Sequence, residues 1–265
     1  MSAAMEQKRK GSPQGGERGG RISVSFSVSD SYAQHLAVVI TSILCHNPGS
    51  SFVFHVLHRD ISDENQARIK ELETPTVSIR FHKIDASRFE KFPLPVGLEH
   101  ITQEMYYRYL LPEVLLDEGR TIYSDVDVLC VADIRPLWEM DLQGNPIGAV
   151  SYTQGDAAFD KFKVTSLGMA VDSVYYASGL LVMDLDAMRK DGDVCRLFDT
   201  TARLADVIVW PDMDVLNVVF EGRTAPIEHC WNSIERYSRK RKDVRIWHFP
   251  GFTQKPWCNI WKNTT

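Results

Sequence analysis

Between residues 22 and 84 the apolar residues change period repeatedly, and this alternation limits the chain to few folds. "ISVSFSV", from Ile22, alternates with period two and predicts a strand. "SYAQHLAVVITSILCHNPG" carries the 3.6-residue period of a helix, stopped by Asn47, Pro48 and Gly49. "SFVFHVLH" is a second strand. "SDENQARIKELE" opens on Ser62, a residue type suited to capping, and runs on in helix formers. "TVSIRFHKI" is a third strand. Strand, helix, strand, helix, strand at this spacing predicts a parallel sheet wound in βαβ units.

The rest of the chain continues the pattern with interruptions. Residues 85–100 read as a loop around Pro93 and Pro95. "ITQEMYYRYLLPEVLL" predicts a helix bent or broken at Pro112. "TIYSDVDVLC", "PIGAVSY" and "SGLLVMDL" predict strands, with a short helical turn at "IRPLWEMDL". Residues 153–172 have little periodicity and read as a mobile excursion. Residues 186–204 are helical with a break near Gly192, and "PDMDVLNVVF" is a short helix with proline at its start. A length of 265 residues suits one domain, taken as 22–265, after a disordered tail at 1–21 that has Gly, Lys and Arg but no apolar stretch.

Composition excludes several classes. A net charge of −5 offers no general basic field, so no nucleic-acid partner is expected. The five cysteines form no CxxC pair, which argues against zinc fingers and disulfide scaffolds and for a reducing, cytoplasmic setting. The longest apolar run, "LAVVITSILC", is too short to span a bilayer. The basic tail leaves open only a peripheral contact with an acidic surface such as the inner membrane.

Asp125 and Asp127 stand two apart in "RTIYSDVDVLC", with apolar residues on both sides. A carboxylate in such a strand is costly unless something pairs with it. At a strand end that bends into a turn, both can converge on one cation. Oxygen donors suit Mg²⁺ or Mn²⁺, and the carboxyl ends of parallel strands near a topological switch are where ligands bind. A pair of solvated turn acids is the alternative. In "WHFPGFTQKPW", His248 is a candidate third ligand, and mixed imidazole and carboxylate ligation leans toward Mn²⁺. Gly251 permits close backbone approach, and Lys255 can neutralise a phosphate. The alternative there is an aromatic plug holding a structural histidine.

Together these pieces resemble glycosyltransferase family 8. The resemblance rests on "FSVSDSYAQHLAVVITSIL", "MYYRYLLPEVL", "IYSDVDVLCVADIRPLW", "SGLLVMDL", "PDMDVLN", "EHCWN" and "HFPGFTQKPW", in that order over about 22–257. It implies an α/β nucleotide-diphospho-sugar transferase (GT-A) fold, with a Rossmann-like, mixed but mostly parallel central sheet. It also implies a retaining hexosyltransferase that uses Mn²⁺, with Mg²⁺ as the alternative. The donor would be a UDP-sugar carrying galactose or glucose, and the acceptor a saccharide or glycolipid of lipopolysaccharide type.

Carried over residue by residue, the resemblance makes Asp125, Asp127 and His248 the metal ligands. Lys255 and the backbone at Gly251 would clamp the diphosphate. Ser27, Asp30 and Tyr32 would line the uridine pocket, with simple packing of the first helix as the alternative for Tyr32. Arg108 and Asp212 would hold the donor sugar beside the two metal-binding acids. The chain departs from the family pattern at Ser31, where an acid is usual. It departs again at Ala177 and Ser178, which replace the residues of an Asn-Ala-Gly run, and at Met213, where Gln is frequent. Two other readings stay open at this stage. One is a nucleotide-sugar-binding protein without transfer activity. The other is a phosphatase of the haloacid-dehalogenase type, whose Asp-x-Asp motif also follows an apolar strand.

Overall fold

The computed structural model describes residues 20–94, 102–152, 157–234 and 241–251. The opening pattern folds as β1 (Ile22–Ser27), α1 (Ala33–His46), β2 (Phe52–His58), α2 (Asp63–Lys70) and β3 (Val77–Lys83). A 3-10 segment, Gln103–Leu110, leads into α3 (Leu111–Val114). Next, β4 (Arg120–Ser124) and β5 (Val128–Cys130) bracket the two acids. Then come α4 (Arg135–Trp138), β6 (Ile147–Ser151), α5 (Ala157–Thr165), β7 (Tyr176–Asp184), α6 (Leu185–Asp191), α7 (Asp193–Leu204) and α8 (Pro211–Val219). The short strands β8 (Thr224–Ile227), β9 (Ser233–Ile234) and β10 (Ile246–His248) follow.

Seven strands form the central sheet in the order β3-β2-β1-β4-β7-β6-β8. Only β7 runs against its neighbours β4 and β6; the other pairs are parallel. All seven residues of β2 are buried, as a strand covered on both faces requires. Successive side chains serve opposite faces. Ile122 and Val182 join the core beneath α1, whereas Tyr123, Leu181 and Met183 join the core beneath α6, α7 and α8. Helix α1 presents Leu36, Val39, Ile40 and Ile43 at i, i+3, i+4 and i+7, all buried. Each contributes about 1.5–3 kcal/mol as an upper estimate.

The first core also includes Val128, Cys130 and Ile246, which belong to a smaller sheet ordered β5-β10-β9. Asn47 ties the end of α1 to the start of α4. Its Nδ2 donates to the Ile43 carbonyl at 2.7 Å, closing α1, and its Oδ1 accepts from Ile134 N at 2.9 Å.

Two sequence expectations need correction. The segment expected as one helix broken at Pro112 is instead, among its described residues, a 3-10 run at Gln103–Leu110 followed by α3, and Pro112 lies in the first turn of α3, where a missing N–H costs nothing. Within the excursion at 153–172, residues Ala157–Thr165 form α5, with Phe159 buried against Tyr175 and Leu204. Its apolar side chains meet a small local cluster rather than the main core, which leaves only a weak period to read. The break near Gly192 occurs as expected: Gly192 has φ +67° and separates α6 from α7. Of the tail, Gly20 and Arg21 are described, and Arg21 donates to Glu118 at 2.8 Å.

Candidate active site

Strand β1 is followed in sequence by β2 on one side of it, whereas its other neighbour is β4. This is the topological switch of the sheet, and in such folds ligands bind outside the carboxyl ends of the strands at that point. Ser27 ends β1 there, and Asp125 and Asp127 leave β4. Asp125 N donates to the Gly179 carbonyl at 2.8 Å, carrying the β4–β7 ladder one residue past the strand. The small sheet brings in the distant partner. Its register sets His248 opposite Val128, and Phe249 N donates to the Asp127 carbonyl at 2.9 Å.

In this way Asp125, Asp127 and His248 come together, with one ligand atom from each lying within 4.8 Å of the others. His248 Nε2 is 3.2 Å from Asp127 Oδ1 and 3.9 Å from Asp125 Oδ2. Two carboxylates and an imidazole nitrogen, all oxygen or borderline nitrogen donors, form a set suited to Mn²⁺. The space is kept by Gly179: a Cβ there would lie 2.4 Å from His248 Cε1 and 2.9 Å from Asp125 Oδ2. The residues present therefore fit a divalent cation.

Arg108 lies behind Asp125 and is 2% exposed. Its Nε donates to the Met105 carbonyl at 2.8 Å, its Nη1 to the Ser178 carbonyl at 2.5 Å and its Nη2 to Asp125 Oδ1 at 2.9 Å. Tyr123 donates to the same Asp125 oxygen at 3.2 Å, and the guanidinium lies 4.1 Å from that tyrosine's ring centre. Burial would weaken Arg108's hold on its proton, but Asp212, Tyr123 and Asp125 outweigh it and push its pKa up.

Asp212 stands in the first turn of α8, with Oδ2 3.2 Å from Arg108 Nη1. The angle does not make a hydrogen bond, so this buried oxygen has none among the described residues. Burial raises the Asp212 pKa, with Arg108 opposing. Its neighbour Asp214 is differently placed. Its carboxylate accepts from the backbone of Val209 and Trp210, each at 2.8 Å, and from the Tyr175 hydroxyl. Asp214 thus closes the start of α8, whereas the Asp212 carboxylate is turned toward Arg108.

The remaining expected residues are placed as follows. The Ser27 hydroxyl is buried without a hydrogen-bond partner among the described residues. Tyr32 is half-buried, packed on the core and tilted against His35 with ring centres 5.2 Å apart. Asp30 is committed elsewhere: its Oδ1 accepts from Ser62 N, Ser62 Oγ and Asn65 Nδ2, tying β1's loop to α2. Gly251 is exposed with φ +89°. Lys255 lies outside the described residues. Met213 packs on the cluster of Phe159, Tyr175 and Leu204, and Ala177 is buried. Sequence reasoning assigned no role to Tyr123 or Asn232; the sign for both was position, one two residues before Asp125 and one closing "EHCWN".

The sequence pattern of glycosyl transferase family 8 matches residues 23–260. The chain belongs to this family. It is therefore a glycosyltransferase, and the phosphatase reading of Asp125 and Asp127 is set aside. General stress protein A of Bacillus subtilis (strain 168) is 27% identical over 250 residues, covering 86% of this chain and 84% of its own length. A lipopolysaccharide 1,2-glucosyltransferase of Escherichia coli (strain K12) is 24% identical over 253 residues, covering 89% and 72%. Other curated relatives are longer: the chain spans 63% of a Haemophilus influenzae relative and 47% of the glycosyltransferase GlyB of Streptococcus pneumoniae. Among solved structures, galactosyltransferase LgtC in complex with donor and acceptor sugar analogs superposes with TM-score 0.76 at 26% identity, covering 88% of both chains. The mixed, mostly parallel sheet is thus the GT-A-type architecture of these transferases. Among the described residues of this family 8 chain, no helix is long and apolar enough to cross a membrane.

Proposed function

We propose that this glycosyltransferase moves galactose or glucose from a UDP-sugar to a hydroxyl of a saccharide or glycolipid acceptor, with retention of configuration. The observation that carries the reading is the convergence of Asp125, Asp127 and His248 at the β1–β4 switch, with Asp212 and Arg108 behind them. Asp125, Asp127 and His248 would hold Mn²⁺, with Mg²⁺ as the lesser alternative. When bound, the cation supplies Lewis-acid stabilisation of the charge that grows on the departing UDP. Ser27 and Tyr32 stand at the carboxyl end of β1, where the uridine would lie, and Gly251 and Lys255 would close on the diphosphate. Asp212 has acceptor capacity to spare and would orient donor-sugar hydroxyls.

The route we favour is front-face transfer, in which the leaving phosphate takes the acceptor's proton. Asp212 is the nearest candidate nucleophile for a covalent intermediate, and its oxygen faces Arg108 at 3.2 Å. Met213, next along α8, offers only a thioether, a weak acceptor. Residues 22–265 would form one domain, working in the cytoplasm, with any membrane contact peripheral. A lipopolysaccharide-type acceptor is supported by the Escherichia coli relative.

The test is hydrolysis of a panel of UDP-hexoses with Mn²⁺, comparing the wild type with Asp127→Asn. We expect one UDP-hexose to be turned over, and the variant to lose at least about 100-fold, the scale of removing one element of charge stabilisation. Equal rates in the two proteins would defeat the proposal. Tight UDP binding with no turnover of any sugar would favour the binding-only reading, which the apolar packing of Met213 supports.

A further inference from the structure

His248 has two ring nitrogens, and the second has a partner of its own. Its Nδ1 lies 2.8 Å from Asn232 Oδ1, whereas its Nε2 faces Asp127 and Asp125. Asn232 is 5% exposed and sits between the 3-10 turn His229–Trp231 and β9. Strand β9 runs parallel to β10 with Ile234 in register with His248, so backbone pairing fixes the amide beside the ring. The amide's Nδ2 is buried without a hydrogen-bond partner among the described residues, so the imidazole is the side chain's anchor. On the ring's other side there is no slack, because a Cβ at Gly179 would meet Cε1 at 2.4 Å and Nδ1 at 3.1 Å.

An imidazole can offer a lone pair at Nε2 only if its proton sits on Nδ1, and that proton needs an acceptor. We propose that Asn232 is the positioning residue that meets this need. Its carbonyl accepts from Nδ1–H, which turns the Nε2 lone pair toward Asp125 and Asp127. An amide does this without placing a third negative charge beside the two acids. The inference rests on the metal-site reading above.

The experiment uses the full chain with Mn²⁺ alone as the probe. It compares wild type, Asn232→Leu (similar volume, no acceptor) and Asn232→Asp (acceptor kept). Mn²⁺ affinity is measured by the electron paramagnetic resonance of free Mn²⁺, and the ring proton is located by nitrogen NMR of the metal-free proteins. We expect Asn232→Leu to weaken Mn²⁺ binding about 10–100-fold, the range for partners of metal-ligating histidines. We expect Asn232→Asp to restore binding, and the wild type to carry the proton on Nδ1. A wild-type proton on Nε2, or wild-type Mn²⁺ affinity in Asn232→Leu, overturns the proposal. If Asn232→Leu does not fold, the wild-type tautomer and Asn232→Asp decide the matter. If the wild type takes up no Mn²⁺, the metal reading falls, and the tautomer alone judges Asn232.

Discussion

Arg108 Nη2 lies 2.9 Å from Asp125 Oδ1, so a buried cation holds from behind one of the three clustered residues proposed to bind the metal. The same guanidinium approaches Asp212 at 3.2 Å. One side chain therefore sets the spacing between the acid assigned to the metal and the acid assigned to the sugar.

Replacing Arg108 by Leu should leave two acids without their cation in a buried setting. Breaking a buried pair costs roughly 3–5 kcal/mol, so a marked fall in thermal midpoint is expected together with loss of turnover. Arg108→Lys should recover stability only in part, because an ammonium cannot span Asp125, Ser178 and Asp212 with the geometry of the planar fork. Thermal denaturation of the two variants checks this. Equal midpoints in Arg108→Lys and wild type would show that the fork does not matter.

Gly179→Ala tests the space beside the imidazole. The added methyl would overlap His248 Cε1 and crowd Asp125 Oδ2. The expected result is a folded protein, destabilised by about 1–3 kcal/mol as for overpacked cores, with Mn²⁺ affinity reduced more than tenfold. Denaturant unfolding and metal titration report the two effects separately.

His55 should govern part of the acid sensitivity of the fold. Burial holds its pKa down at about 3, with repulsion from His82, Arg80 and Arg21 adding to it. Glu118 lies 3.4 Å from Nε2 but is already paired with Arg21 at 2.8 Å, so burial prevails. The unfolded chain takes up this proton near pH 6.5, which the fold refuses until about pH 3. Stability therefore rises with pH across that interval and falls on acidification. His55→Gln should flatten the slope by up to one proton, about 1.4 kcal/mol per pH unit. Denaturant unfolding between pH 4 and 6.5 measures it, and an unchanged slope would contradict the assignment.

Asp30 separates a structural from a ligand-binding role. Its Oδ1 accepts three hydrogen bonds from Ser62 and Asn65, and the Ser62 backbone N–H leads in holding its pKa below the usual range. Asp30→Ala should speed hydrogen exchange at the Ser62 backbone amide and the Asn65 side-chain amide. A raised donor KM with no change in exchange would instead make it a donor contact.

The strongly periodic parts of this fold were legible because burial on two faces leaves an unmistakable pattern. β2 and the face of α1 are the clearest cases. Asp125 and Asp127 were legible because acids among apolar residues need a reason. The small sheet was not foreseen as a unit: β9 has two residues and β10 three, too few to carry a period. The 3-10 run at Gln103–Leu110 passed for an α-helix because its buried tyrosines occur at every spacing. Asp212 was singled out from Asp214 only by the family resemblance. The Val209 and Trp210 amides, brought round by the turn before α8, give the physical reason that Asp214 is the structural acid.

The pairing of β10 with β5 joins residues more than a hundred positions apart, so the imidazole reaches the two acids only through a long-range backbone contact. A protein cut before Ile246 would lack the third of the three residues proposed to grip the cation. Assembly of the trio thus depends on closing a three-stranded sheet that lies apart from the central one.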